Sequence, residues 1–191
     1  MGLLDAFRKD EVVGAKVLVC ALGAAHEELR KNDERIYKRF YPNTSSFVST
    51  TVAEFQGVLK QGSYDIVHLL CEVDGQGAIA DVAGSRLSGA DLLQACVDSG
   101  VKVLWIASDN FADPYNAGFK PKGLKLNVVL IERRLGPNFN LFLDNLLTKT
   151  SAGESFAKAW GVVSKPEGKS VQPDVPHAIT SLGRGGVVLK K

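Results

Sequence analysis

Four apolar runs, each too continuous for a strand with one wet face, constrain this chain more than any other feature. They lie within Lys16–Leu22, Asp65–Cys71, Val101–Ala107 and Leu126–Ile131. A strand that is apolar on both sides must be covered on both sides, and antiparallel sheets with one solvated face do not read this way. Between the runs, apolar residues recur every three to four positions, the period of a helix resting on a core. The alternation predicts an α/β fold of three layers, with helices on both faces of a mostly parallel sheet.

The intervening segments carry their own punctuation. After the first run, Ala25, Leu29, Ile36 and Phe40 fall on one helix face, and Pro42 stops the helix. Glu27 and Glu28 stand in its first turn, Lys38 and Arg39 in its last, an order that complements the helix dipole. A short strand is expected around Ser46–Ser49, then a helix with Val52, Phe55, Val58 and Leu59 inward and Gly62 closing it. Ala78–Val82 suggests part of a hairpin. Ser88 and Asp91 read as the start of a helix that buries Leu92, Leu93, Cys96 and Val97 and ends at Gly100. Gly136-Pro137 opens a helix with Phe139, Phe142, Leu143, Leu146 and Leu147 on one stripe. Phe156, Ala159, Trp160 and Val163 repeat the pattern. Lys165–Pro176, with three prolines, reads as a surface connection, and Gly185–Leu189 as a final strand. The expected organisation is an N-terminal extension over residues 1–14 followed by a single domain over 15–191.

Composition narrows the functional classes. The chain has 191 residues, with 23 Lys and Arg against 21 Asp and Glu, a net charge of +2. That near-neutrality argues against a nucleic-acid footprint or a polybasic membrane patch. No stretch reaches the 18 or so apolar residues of a spanning helix, and the start lacks the apolar run of a signal peptide. Cys20, Cys71 and Cys96 show neither CxxC spacing nor a His at metal-site distance, so reduced thiols in the cytoplasm are expected, with no metal and no cofactor.

In open α/β sheets, sites form outside the carboxyl ends of the strands. Those ends hold Cys20, then Cys71-Glu72-Val73-Asp74, then Ser108-Asp109-Asn110, then Glu132-Arg133-Arg134. The candidate edge for a ligand or partner is thus Cys71, Glu72, Asp74, Ser108, Asp109 and Asn110. Gly75-Gln76-Gly77-Ala78-Ile79-Ala80 matches a weak dinucleotide fingerprint, but Gly84 and Ser88 interrupt the helix it would need. His68 sits between apolar neighbours inside a strand and reads as a core histidine satisfied by a hydrogen bond. Gln94-Ala95-Cys96 imitates part of the caspase nucleophile signature. Val97 and Asp98 replace its last two residues, and helical spacing puts Cys96 on the core face, where a thiol is inert.

Tyr64-Asp-Ile-Val-His68-Leu-Leu-Cys-Glu72-Val resembles the Y-D-[IV]-[IV]-H-F-A-G-H-G segment of the CHAT family, caspase-related cysteine proteases common in bacteria. Arg86–Leu93 resembles that family's next helix start, and Lys102–Asp109 its strand leading into S-A-C-E-T. Leu126–Ile131, Phe142 with Leu146 and Leu147, and Gly153–Ala159 keep the order of its closing segments. The resemblance implies a caspase-like sheet over roughly Lys16 to Leu189, and a His after one strand activating a Cys after the next.

Here the departures carry the meaning. Counting from His68, which matches the motif's other His, the general-base position falls on Glu72. The nucleophile position falls on Asp109, or on Ser108 with one deletion. Without thiolate and imidazole there is no obvious acyl transfer. The resemblance therefore implies a domain without catalytic residues, serving a protein partner or regulation in a bacterial defence or cell-death pathway. Two alternatives stay open: a hydrolase with a relocated nucleophile at Ser108 or Cys71, and a nucleotide- or metal-binding module holding Mg²⁺ through Glu72, Asp74 and Asp109.

Overall fold

The computed structural model describes residues 10–108, 123, 125–132, 137–164, 178–184 and 186–191. Among these residues ten strands follow in chain order: β1 Glu11–Val13, β2 Val17–Leu22, β3 Thr44–Ser49, β4 Ile66–Leu70, β5 Ile79–Ala80, β6 Arg86–Leu87, β7 Val103–Ser108, β8 Asn127–Glu132, β9 Ala178–Leu182 and β10 Val188–Lys190. Among the described residues five α-helices interleave with them: α1 Glu27–Phe40, α2 Val52–Gly62, α3 Gly89–Asp98, α4 Pro137–Ser151 and α5 Phe156–Val163. The central sheet has six strands in the order β3-β2-β4-β7-β8-β9. The first five pair in parallel, and β9 closes the β8 edge antiparallel.

The continuous apolar runs are explained by two separate cores. Successive strand residues point to opposite faces, so Val17, Val19, Ile66, Leu70, Val103, Trp105, Val129 and Ile131 lie under α1, α4 and α5. Leu18, Cys20, Val67, Leu69, Cys71, Leu104, Ile106, Val128 and Leu130 lie under α2 and α3. Each strand serves both layers at once.

The helix starts are written locally. Thr51 accepts the amide of Glu54 at 3.1 Å, while the Glu54 carboxylate accepts the Thr50 amide at 2.9 Å. Ser88 accepts the Asp91 amide at 3.1 Å and donates its hydroxyl to the Asp91 carboxylate at 2.6 Å. α2 ends at Gly62 as expected, but Gly62 does not supply the left-handed residue. It remains helical, Ser63 takes the left-handed conformation (φ 49°), and a Cβ on Gly62 would meet the Tyr64 ring at 1.9 Å. The glycine is needed for space rather than for backbone freedom.

Four features depart from the sequence expectation. The strand near residue 46 starts earlier, at Thr44, and the expected hairpin consists of Ile79–Ala80 against Arg86–Leu87. β9, which carries no strong apolar signal, extends the central sheet. The last strand does not join that sheet. It pairs in parallel with β1, within the segment read as an extension, through Glu11↔Val188, Val12↔Leu189 and Val13↔Lys190. Ion pairs from Arg184 to Asp10 at 2.5 Å and from Lys190 to Glu11 at 2.7 Å flank it.

Tyr41, fully buried just past α1, joins these parts: its hydroxyl lies 3.0 Å from Thr150 Oγ1 on α4 and donates to the Leu189 carbonyl at 3.1 Å. Tyr41→Phe leaves that buried carbonyl short of a donor and is expected to cost about 1–3 kcal/mol by urea unfolding. Lys190→Ala, which removes an exposed pair, should cost under about 1 kcal/mol.

Candidate functional site

The carboxyl edges of β4 and β7 lie side by side. Leu70 is in register with Ala107, and the Cys71 amide donates to the Ala107 carbonyl at 3.1 Å. Cys71 and Ser108 are therefore neighbours where the two strands end, with Glu72 one residue beyond. Glu72 is exposed, whereas Ser108 keeps only 1% of its surface and stands in register with Glu132 of β8. Asp109 and Asn110 lie outside the described residues.

Strand alternation separates the candidates chemically. His68 points into the α1, α4, α5 layer, where its ring stacks on Trp105 (centroids 5.8 Å apart, planes at 2°) and meets Tyr37 and Phe139 edge-on. Cys71 belongs to the opposite core. Ser108, at the same parity as Leu104 and Ile106, falls on the Cys71 side of the sheet. The imidazole and the two candidate nucleophiles thus lie on different sides of one sheet.

His68 sits in a buried polar cluster that sequence reasoning did not assemble. Its Nδ1 lies 3.2 Å from the Tyr37 hydroxyl, and its Nε2 lies 3.2 Å from Asp33 Oδ2, off the line of a hydrogen bond. All three side chains are fully buried. Burial pushes the His68 pKa down to about 3, so the ring is neutral at ordinary pH. Asp33 was legible: with Leu29, Ile36, Tyr37 and Phe40 it falls on the apolar stripe of α1, an anomalous place for a carboxylate.

The thiols are buried as well. Burial raises Cys20 and Cys96 to about 12 and carries Cys71 higher still, where the Cys20 and Glu72 charges oppose thiolate formation further. The Cys71 thiol is buried and lies across the sheet from the His68 imidazole.

Asp74 serves a turn. Its Oδ1 accepts the amides of Gln76 at 2.8 Å and Ala78 at 3.1 Å, and Oδ2 pairs with Arg86. These contacts hold its carboxyl below its usual range, against the opposing cost of burial. Gly75-Gln76-Gly77 forms that turn, and no helix follows it, which contradicts the dinucleotide fingerprint. Among the described residues no three His, Cys, Asp or Glu side chains gather as a metal site requires. No described helix is long and apolar enough to cross a membrane.

No family profile matches the sequence, and no curated protein matches it. Solved structures do. The chain is similar to pro-sf-caspase-1, with a TM-score of 0.60 over 97% of both chains at 10% identity. It is also similar to caspase-1 from Spodoptera frugiperda, with a TM-score of 0.54 over 97% of this chain and 90% of that one at 9% identity. The fold is caspase-like, three layers around a mostly parallel sheet.

In the native protein none of the three thiols should react with a small disulfide reagent within minutes at pH 8, and all three should after denaturation. Fast labelling of native Cys71 would contradict its burial. The folded-state pKa of His68 lies below its ordinary value of 6.5, so the unfolded chain binds the extra proton between about pH 6.5 and 3. Stability from neutral His68 is fully present above pH 6.5 and is lost as pH falls through that window. Between pH 6 and 5, unfolding free energy should drop by about 1 kcal/mol more in the native chain than in His68→Gln, measured by urea titration at each pH.

Proposed function

We propose that this chain is a CHAT-like, caspase-related domain without peptidase activity, acting as a protein-interaction or regulatory module in the cytoplasm. One observation supports it above the rest: an exposed carboxylate, Glu72, follows β4 where the family pattern places the base, while the His68 imidazole is enclosed among Trp105, Tyr37 and Phe139. Acyl transfer by a thiol needs a thiolate and a proton acceptor in one cleft. Here every thiol is buried. Ser108, at the end of β7, would need an imidazole on its own face to lower the cost of losing its proton.

The argument for a binding role rests on economy of structure. Both cores are intact and well filled. Of the substituted positions, Glu72 is exposed beyond the end of β4 and belongs to neither core. The resemblance to CHAT proteins further suggests a protein partner, with a place in a bacterial defence or cell-death pathway.

Purified protein incubated with a peptide-substrate library should give no cleavage above buffer. Turnover that disappears in Ser108→Ala or Glu72→Ala would overturn this reading and make the chain a hydrolase of altered chemistry.

A further inference from the structure

Helix α1 carries five cations, and four of them are neutralised within the chain. Arg30 pairs with Glu34 at 2.8 Å, Lys31 with Glu27 at 3.1 Å and Glu28 at 2.9 Å, Lys38 with Glu34 at 2.5 Å, and Arg39 with Asp144 of α4. Arg35 has no ion pair among the described residues. It is exposed and faces an open groove of about 480 Å³ between α1 and α4, together with Asn32, Arg39, Asn140, Leu141 and Asp144. Leu141 is 62% exposed, the only large hydrophobic in that state among the described side chains of α4. An unpaired guanidinium thus sits across a groove from an uncovered isobutyl group.

We propose that this groove docks a segment of another protein that presents a carboxylate beside an apolar side chain. Arg35 would take the carboxylate through its planar fork, as guanidinium does best. Leu141 would cover the apolar side chain, with the side-chain amides of Asn32 and Asn140 on the rim. Among the described residues most carboxylates contact cations, hydroxyls or amides in their own fold, which favours a different protein over a second copy as the occupant. The proposal does not depend on whether the β4–β7 edge cleaves peptides, because the groove is built on a different pair of elements.

The test uses fluorescence anisotropy with a labelled synthetic peptide alternating Glu and Leu, and a Lys–Leu peptide of equal length as counterpart. The full chain should bind the Glu–Leu peptide and not the Lys–Leu one. Arg35→Glu should weaken binding about tenfold or more and Leu141→Ala several-fold, and 0.5 M salt should weaken it strongly. Arg39→Ala separates this contact from general basicity: it should have a smaller effect than Arg35→Glu, since Asp144 already neutralises Arg39. Absence of Glu–Leu binding, equal binding of the two peptides, or affinity unchanged in Arg35→Glu would each overturn the proposal. Concentration-dependent dimerisation abolished by Arg35→Glu would also overturn it, by making a second copy the occupant.

Discussion

The structure depends on four inner strands that water cannot reach from either side. β2, β4, β7 and β8 are apolar along nearly their whole length, so each residue must find a cover of its own, and alternation along the strand decides which. Two cores follow from that requirement, one beneath α1, α4 and α5 and the other beneath α2 and α3. The same alternation governs chemistry at the sheet edge. Residues an odd number of positions apart on one strand are directed away from each other, whatever their reactivity.

His68 and Cys71 show what this costs. They are three residues apart, and the sheet lies between them. A protein that needs an imidazole and a nucleophile together must place them on loops beyond the strand ends, where alternation lapses. In this chain the loop position after β4 holds Glu72, and its strand-bound histidine has been absorbed into a polar pocket with Asp33 and Tyr37. The ring there stacks on Trp105 and ties α1 to the middle of the sheet. Its environment is that of a structural member.

Much of this was legible in the sequence, and for physical reasons. The strands at Val17–Leu22, Ile66–Leu70, Val103–Ser108 and Asn127–Glu132 announce themselves because two-sided burial demands unbroken apolar character. Helix stripes and the cap at Ser88 are equally local. β9 was not legible: an edge strand buries less, and Ala-Ile-Thr-Ser-Leu lacks the density of a core run. Nor was the partnership of β1 with β10, since pairing across most of the chain leaves no trace at either end. At the candidate site, the order of residues along the edge was readable. That Asp74 serves a turn and that Asp33 sits beneath His68 depended on contacts no spacing rule supplies.

The parallel pairing of β1 with β10 carries a mechanical consequence. Glu11 lies opposite Val188 and Val13 opposite Lys190, so the two strands run in the same direction. Tension applied to the chain before β1 and after β10 pulls them past one another along their length. Every hydrogen bond between them is then loaded together, in shear, where an antiparallel hairpin would open one rung at a time like a zip. The outer ends of this domain are thus joined by a clasp that resists stretching and gives way as a unit.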